Sequence, residues 1–366
     1  MRSARVLITG IGGIGGVNFV NALRLAESQV GLKLYLVGTD HNPYYIHFAS
    51  VDARYRTPRH DDPTFLSTLL DIIKRHGIEF LHPHPSVEAR VVASNRELFD
   101  SIKVRTYLPS PESIAPDKDV IVEKMVRAGV PVPKTVALKS LDDIDEAFSR
   151  LGSPLWIRAR RGAGGRLSLK VNSPEEAKLW VRLNVLQGRA SIEDFIIQEY
   201  LPGRDLAFDS LWYRGKLVTS YSRERIEYPF KHISLSGITG TPSVARIISN
   251  DEVNKVGVRA VLALDPEPHG FYSVDLKEGP DGKIMVTEVD GKWHTTAPLW
   301  GLSMAKAYQE PRYNLAYIYL ALGMWGELPW DLPQYDLFPS DHYLIRQMDS
   351  GVLLMRGRDG NLWRIL

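Results

Sequence analysis

The segment GFYSVDLKEGPDGKIMVTEVDGK, residues 270–292, decides the fold of this chain. Two apolar runs flank a connection rich in Gly, Pro and Asp, and this pattern predicts a β-hairpin. Side chains alternate along a strand, so Glu288 and Asp290 project from one face. We expect Asp275, on the partner strand, to share that face. The apolar residues on both sides of these acids predict that the hairpin is buried.

Carboxylates that converge on one face repel each other, and a bound cation removes that repulsion. Oxygen ligands without histidine or cysteine favour Mg²⁺ or Mn²⁺ over zinc. The hairpin therefore predicts Asp275, Glu288 and Asp290 as metal ligands. The alternative is an exposed strand that carries ordinary surface acids.

The composition of the chain sets limits on its class. The chain has 366 residues, of which 44% are hydrophobic and 24% charged, so we expect a globular protein of two or three domains. A net charge of +2 argues against a nucleic-acid binder. The absence of cysteine excludes disulfides, iron–sulfur clusters and thiol nucleophiles, and it fits a cytoplasmic protein. The apolar stretch 315–325 is too short to span a membrane, so we predict a buried helix there.

The first 108 residues alternate between strand and helix patterns, which predicts a doubly wound parallel sheet. The spacing Gly10-x-Gly12-x-x-Gly15 follows the first strand, and Asp40 ends the second. This is the dinucleotide fingerprint, so one hypothesis is a nicotinamide-dependent oxidoreductase. The alternative is that the glycines only make a tight turn between a strand and a helix.

Prolines between residues 108 and 116 predict a linker, after which strand patterns dominate as far as about residue 300. The tail predicts a helix from Pro311 to Met324 and a final hairpin within 352–365. We therefore divide the chain into three parts. They are a Rossmann-like domain at 1–108, a nucleotide- and metal-binding domain at 109–310, and a C-terminal extension at 311–366.

Three further motifs precede the acidic hairpin in a fixed order. Asp117-Lys118 opens a helix that ends in GVPVP at 129–133, PLWIR at 154–158 precedes GAGG at 162–165, and IQEYLPG occupies 197–203. With the hairpin, these motifs resemble the ATP-grasp enzymes, and most of all the large subunit of carbamoyl phosphate synthetase. The resemblance covers about residues 1–300.

The resemblance implies an α/β fold, in which a Rossmann-like parallel sheet precedes an ATP-grasp α+β domain of mostly antiparallel sheets. It also implies a ligase that uses ATP and Mg²⁺ to activate a carboxylate, or bicarbonate, as an acyl phosphate for attack by an amine or another nucleophile. The residues that it implies for nucleotide binding are Lys118 and Arg158 at the phosphates, Gly162, Gly164 and Gly165 over them, Glu199 and Leu201 at the adenine, and Asp205 at the ribose. The resemblance implies Lys292 and Arg225 as the catalytic cations.

The resemblance places the acceptor side of the active site on the N-terminal domain. Substrate contacts are expected from Gly12, Gly13, His84, Glu88 and His294. A purely structural turn is the alternative for the HPHP sequence at 82–85. The expected partners are a small-molecule carboxylate and a nucleophile, without nucleic acid or membrane, and a homodimer is common for such folds.

Two positions depart from the family pattern, because Asp290 and Lys292 stand where Asn and Arg are usual. Both changes keep a metal ligand and a cation, but they leave a non-catalytic nucleotide-binding regulator as a further alternative. No motif identifies the carboxylate or the nucleophile.

Overall fold

The computed structural model of this protein describes residues 2–162, 164–328, 330–347 and 351–365. Its strands form one parallel sheet and two antiparallel sheets, as the sequence predicted. None of the helices in these ranges has both the length and the apolar character that a membrane crossing requires.

The N-terminal part is a five-stranded parallel sheet with the strand order β3-β2-β1-β4-β5. Its strands are β1 (Ser3–Thr9), β2 (Lys33–Asp40), β3 (Ala53–Arg56), β4 (Phe80–Pro83) and β5 (Arg105–Thr106). Its helices are α1 (Ile14–Val30), α2 (Phe65–His76), α3 (Ser86–Ser94) and α4 (Arg96–Ser101). Thr39, Thr9 and Pro83 lie in one row across three strands, so the loops that follow them share one edge of the sheet.

A four-stranded antiparallel sheet follows the helix α5 (Lys118–Arg127) and has the order β6-β9-β7-β8. Its strands are β6 (Thr135–Ala137), β7 (Leu155–Ala159), β8 (Leu169–Val171) and β9 (Phe195–Glu199). The helices α6 (Asp142–Leu151) and α7 (Pro174–Leu186) cover it. This small lobe has a hydrophobic core of its own.

The third sheet has eight strands in the order β14-β13-β10-β11-β12-β15-β16-β17. They are β10 (Asp205–Tyr213), β11 (Lys216–Glu227), β12 (Val244–Ile248), β13 (Gly270–Glu278), β14 (Ile284–Asp290), β15 (His342–Gln347), β16 (Gly351–Arg356) and β17 (Leu362–Arg364). The helices of this region are α8 (Asp251–Leu264), α9 (Ala297–Tyr308) and α10 (Leu315–Trp325). The predicted acidic hairpin is the β13–β14 pair at one edge.

The predicted tail helix from Pro311 to Met324 was wrong at its start. Residues Pro311–Tyr313 form a 3₁₀ turn, and α10 begins only after Asn314, whose side chain accepts a hydrogen bond from the Tyr317 backbone N–H. Asn314 is fully buried, and its side-chain oxygen satisfies one of the free N–H groups at the start of α10. The α-helix therefore starts after Asn314 and not at Pro311.

The C-terminal residues do not stand apart from the rest of the molecule. The strands β15 to β17 extend the eight-stranded sheet, while α10 packs against α1 of the N-terminal part. The Asn314 side chain donates to the backbone oxygen of Ala22 over 2.7 Å. The largest core cluster therefore joins the N-terminal sheet to the eight-stranded sheet.

Candidate active site

A cleft of about 790 Å³ opens between the four-stranded lobe and the eight-stranded sheet. Most of the residues that the sequence proposed for the site line it. They are Arg158, Gly164, Gly165, Glu199, Leu201, Asp205, Arg225, Asp275, Glu288, Asp290, Lys292 and His294. The structure thus brings together residues from six separate stretches of the chain.

Glu288 lies at the centre of a group of three cations. Its Oε2 atom is 3.0 Å from Arg158 Nη2 and 3.6 Å from Lys118 Nζ, and its Oε1 atom is 4.0 Å from Lys292 Nζ. Burial disfavours the charged form of Glu288, but the surrounding cations hold its pKa below the ordinary value. Lys292 also pairs with Asp290, so the three cations face two carboxylates and leave one positive charge in excess, which favours an anionic ligand such as a polyphosphate.

Lys118 reaches this group because it is the first residue of α5, where its side chain is nearly fully buried. Burial lowers its pKa, against the attraction of Glu288. Its ammonium group donates to the backbone oxygen of Gly162 over 2.6 Å. This contact joins α5 to the glycine loop that the sequence proposed as a phosphate cover.

The glycine loop follows β7. Gly162, Gly164 and Gly165 have φ angles of 85°, 77° and 71°, which other residues rarely adopt. A side chain at Gly165 would also lie 3.1 Å from Ile238, in the loop that connects β11 to β12. Two segments therefore meet across the cleft, and a side chain at Gly165 would require Ile238 to move. Ala163, which belongs to the same proposed loop, lies outside the described residues.

Asp290 has partners for both of its oxygens. Oδ1 accepts the backbone N–H of Ala115 over 2.8 Å, and Oδ2 lies 2.7 Å from Lys292 Nζ. Burial disfavours the charged form of Lys292, yet Asp290 and Glu288 raise its pKa above the ordinary value. Asp290 therefore fixes Lys292 in its charged form and ties the predicted linker to the hairpin.

Asp275 belongs to a buried network of opposite charges. It pairs with Arg225, and one of its oxygens lies 2.8 Å from His294 Nε2. The other ring nitrogen of His294 is 2.6 Å from Asp209, which forms an ion pair with Arg223. Burial lowers the pKa of His294 to about 4, although Asp275 opposes that shift. The two ring nitrogens of His294 thus connect the two ion pairs.

The sequence analysis did not propose Arg223, Asp209 or Tyr228 as site residues. Tyr228 donates to Asp205 Oδ2 over 2.7 Å, and Asp205 Oδ1 is 3.2 Å from Arg225. The alternation of Arg223 with Arg225 along β11 was the available signal, because residues two apart share a face. Both oxygens of Asp205, the proposed ribose contact, therefore have protein partners.

The opposite end of the cleft is apolar and carries the proposed adenine hinge. Leu201 is buried there, and Trp156 and Tyr200 lie at the wall with ring centroids 6.3 Å apart. The Glu199 carboxylate accepts the Lys134 backbone N–H over 2.8 Å, which fixes the end of β9. An aromatic and aliphatic wall beside fixed backbone suits a planar base.

Two glycines of the N-terminal turn, Gly12 and Gly15, allow neighbouring side chains to pack closely against the backbone. An added Cβ at Gly12 would lie 2.6 Å from the Tyr45 side chain, and one at Gly15 would lie 2.2 Å from His84. Asp40, the acid expected to hold a ribose, accepts the Gly12 N–H over 2.9 Å and so braces the turn. Gly13, whose Cβ would meet only ordinary contacts, caps α1. These contacts agree with the tight-turn alternative.

His84 and Glu88 lie below the cleft and do not line it in the described structure. The His84 ring is 3.1 Å from His82, and with Lys292 it borders a small separate cavity. Burial lowers the pKa of His84 to about 4 and raises that of Glu88 to about 7. Burial therefore favours the neutral form of each of these two side chains.

The three acids of the hairpin do not form a ready-made metal cage. Across the described ranges, no three His, Asp or Glu side chains are grouped as metal ligands. Asp275 and Glu288 are nevertheless direct cross-strand neighbours and both line the cleft. Two carboxylates completed by phosphate oxygens and water are a usual shell for Mg²⁺. Asp275 and Glu288 fit that role better than Asp290, whose oxygens are already engaged.

Comparison with known proteins gives sequence relatives for part of the chain. No protein-family model matches the chain. A glutamate–LysW ligase of Sulfurisphaera tokodaii is 26% identical over 180 residues, which are 49% of this chain and 61% of that protein. The carbamoyl phosphate synthase large chain of Pyrococcus furiosus is 26% identical over 206 residues, 55% of this chain and 18% of that one. The chain thus spans about 60% of the length of the ligase it matches.

The fold comparison covers more of the chain. Biotin carboxylase of Campylobacter jejuni, solved with a β,γ-ATP ligand, superposes with a TM-score of 0.67 at 14% identity. The superposition covers 94% of this chain and 75% of that enzyme. At this identity the likeness shows the fold alone, and it confirms the fold that the sequence motifs implied.

Proposed function

We propose that this chain, which has the ATP-grasp fold, is an ATP- and Mg²⁺-dependent ligase that activates a carboxylate and joins it to a nucleophile. The observation that carries the proposal is the group of Lys118, Arg158 and Lys292 around Glu288. Arg158, Lys292 and Glu288 line the cleft, whereas Lys118 is buried beside Glu288. The sequence relatives, which are ligases and a synthase by name, support it. The oxidoreductase alternative loses its support, because Asp40 and the N-terminal glycines are used within the turn itself.

The side chains divide the cleft into two ends. The apolar wall at Leu201 receives the adenine, and the cations Lys118 and Arg158 receive the phosphates at the far end. Arg158 offers a planar fork of donors that matches two phosphate oxygens at once. The backbone N–H groups around Gly164 and Gly165 cover the phosphates, since a loop of positive φ angles presents them to an anion.

The chemistry is the transfer of the γ-phosphoryl group to a carboxylate oxygen. This step forms an acyl phosphate and releases ADP. An amine then attacks the acyl carbon, phosphate leaves and the amine loses a proton. Mg²⁺, when held by Asp275 and Glu288, supplies charge neutralisation at the phosphates. Lys292, fixed in its charged form by Asp290, stabilises the negative charge on the transferred group.

Arg225 and His294 lie on the acceptor side of the same cleft. Both contact Asp275, and Arg225 also pairs with Asp205, so these two acids hold Arg225 at the wall of the cleft. We propose a small-molecule carboxylate and a nucleophile as the substrates, and the cytoplasm as the compartment.

Isothermal titration with a non-hydrolysable ATP analogue tests the proposal. We expect binding that requires Mg²⁺ in the wild type and that weakens at least tenfold in Glu288→Ala. Glu278→Ala is the matched control, because Glu278 lies on the same hairpin but pairs with Arg204 and does not line the cleft. NAD is titrated in parallel. Binding of NAD without binding of the ATP analogue would refute the ligase and restore the glycine turn as the cofactor site.

A further inference from the structure

Lys277, on β13, lines the cleft and is half-buried there. The other arginine and lysine side chains that line the cleft each have a carboxylate oxygen within 3.2 Å; they are Arg158, Arg204, Arg225 and Lys292. Within the described parts of the chain, Lys277 has no carboxylate at salt-bridge distance. A half-buried charge without a partner loses hydration and gains no contact in return, so this position favours an anionic ligand.

The alternation of side chains along β13 explains why Lys277 faces the cleft. Val274 and Leu276 belong to a hydrophobic core on one side of the sheet, so Asp275 and Lys277 project from the other side. Residues two apart on a strand are about 7 Å apart. Asp275 is the cross-strand neighbour of Glu288, so Lys277 lies about 7 Å along the cleft from the row that carries Glu288 and its cations.

The acids nearest to Lys277 in the strand register are engaged by other groups. Asp205 is its cross-strand neighbour on β10, but both oxygens of Asp205 already have partners, a tyrosine hydroxyl and an arginine. Glu278, the next residue along β13, accepts a hydrogen bond from Arg204 Nε over 2.9 Å. The positive charge of Lys277 is therefore left for a ligand of the cleft.

The neighbours of Lys277 fix its position along the cleft. On one side, the Gly203 N–H donates to the Glu278 backbone oxygen over 3.1 Å, which joins the end of the proposed adenine hinge to the residue after Lys277. On the other side, an irregularity in the β13–β14 register lets the consecutive residues Thr287 and Glu288 both line the cleft. The order along the cleft is therefore the hinge, Lys277, Thr287 and the cations around Glu288.

A nucleoside triphosphate presents its parts in the same order, from the base through the ribose and the α-phosphate to the β- and γ-phosphates. We infer that Lys277 binds the α-phosphate of the nucleotide. The inference rests on the proposed function and adds a binding residue to the same site. The contact of an ammonium group with a phosphate oxygen is a charge-assisted hydrogen bond, which is stronger than a neutral one. Lys118 and Arg158 are then available to the β- and γ-phosphates.

The carboxylate substrate is a poorer occupant of this position. Its proposed activation takes place beside Lys292, which follows the end of β14 that pairs with Ser273. Along β13, about 13 Å separates Ser273 from Lys277. A carboxylate held at Lys277 would therefore lie on the hinge side of the phosphates, away from the transferred group. A ribose hydroxyl is also a poorer occupant, because it brings no negative charge to balance the ammonium group.

Isothermal titration with AMP and with adenosine, both without Mg²⁺, tests the contact. The ratio of the two affinities measures what the α-phosphate adds to binding. We expect Lys277→Met and Lys277→Gln to lower this ratio about tenfold and to leave adenosine binding unchanged, because a hydrogen bond between charged groups is lost. Lys277→Arg keeps the charge and should retain most of the preference for AMP. Lys283→Met is the matched control, because Lys283 is exposed in the turn of the same hairpin and does not line the cleft.

The inference is overturned if the two neutral variants keep the wild-type ratio, if they lose adenosine and AMP binding equally, or if the wild type binds AMP no more tightly than adenosine. Titration of the Mg²⁺-bound ATP analogue into the same variants separates the two proposals. Analogue binding that depends on Glu288 but not on Lys277 refutes the α-phosphate contact and keeps the ligase. A wild type that binds AMP but not the Mg²⁺-bound analogue refutes the ligase, and one that binds neither refutes both.

Discussion

Arg223 shows how a buried charge depends on one partner. It is 1% exposed on β11 and its guanidinium pairs with Asp209, which is fully buried on β10. Burial lowers the pKa of Arg223 to about 9. Taking both charges out of water costs several kcal/mol. Their mutual contact offsets that cost, together with the hydrogen bonds to Asp209 from Ser273 and His294 and the one from Arg223 to the Tyr221 hydroxyl.

Replacing Arg223 with methionine is expected to lower the free energy of unfolding by about 3–5 kcal/mol, because Asp209 then keeps a buried charge without its cation. Urea denaturation measures this change. Arg246→Met is the control, since the pair of Arg246 with Glu224 is partly exposed and is worth about 1 kcal/mol or less. Equal losses in the two variants would show that Asp209 is not held as an anion.

Glu88 gives a prediction about pH. Burial raises its pKa from an ordinary 4.5 to about 7, and Asp40 adds to the shift. The folded protein therefore keeps a proton that the unfolded chain releases above pH 4.5, so Glu88 makes the fold less stable as the pH rises from 4.5 to 7. Glu88→Gln removes this penalty. Relative to the wild type, the variant should gain about 3 kcal/mol between pH 4.5 and pH 8.

The measurement for Glu88 is urea denaturation of both proteins at several pH values. The quantity to follow is the difference in the free energy of unfolding between the two proteins at each pH. The buried histidines, whose pKa values are lowered, make the fold more stable as the pH rises, but they contribute equally to both proteins and cancel in that difference. A difference that stays constant across this range would mean that Glu88 ionises normally in the fold.

The turn from β1 to α1 contains glycines that close packing requires and one glycine, Gly13, that has room for a side chain. A Cβ at Gly16 would lie 2.2 Å from the backbone oxygen of Gly10, where no side-chain movement can relieve the contact. At Gly13, which is the N-cap of α1 with φ of −77°, a Cβ meets only an ordinary 3.5 Å contact. The two positions therefore make a matched pair.

Gly16→Ala is expected to destabilise the protein by about 1–3 kcal/mol through steric overlap. Gly13→Ser should leave stability unchanged or raise it by a few tenths of a kcal/mol, because serine is a better N-cap than glycine. Thermal unfolding followed by circular dichroism compares them. If Gly13→Ser costs as much as Gly16→Ala, the turn has a conformation other than the one described.

Local patterns predicted the β13–β14 hairpin and the alternation of strands and helices in the N-terminal part. They missed α9, because nine of its twelve residues are buried and no polar face marks a helical period. The acids at Asp275, Glu288 and Asp290 were found from their spacing. Their cationic partners depend on contacts between distant segments, for example Lys118 with Glu288, which no local pattern encodes.

At the scale of the whole molecule, two bodies with different cores face each other across the cleft. The four-stranded lobe has its own cluster, whereas the N-terminal sheet, α9, α10 and the eight-stranded sheet share another. The hydrophobic core of the four-stranded lobe contains fewer residues than the core shared by the rest of the molecule. The lobe contributes Arg158, Gly165 and Glu199 to the cleft. We therefore expect it to open at lower free energy than the rest of the protein.

Hydrogen exchange tests this arrangement together with the proposed nucleotide site. Without ligand, amides of β7 and β9 should exchange faster than those of β10 and β13. A Mg²⁺-bound ATP analogue contacts both bodies, so it should slow exchange in β7, β9 and the glycine loop by at least tenfold at saturation, since each tenfold step corresponds to about 1.4 kcal/mol of binding. Glu278→Ala should keep this protection and Glu288→Ala should lose it. Protection confined to the eight-stranded sheet would mean that the nucleotide does not bridge the cleft, because a ligand held by one body leaves the opening of the other unchanged.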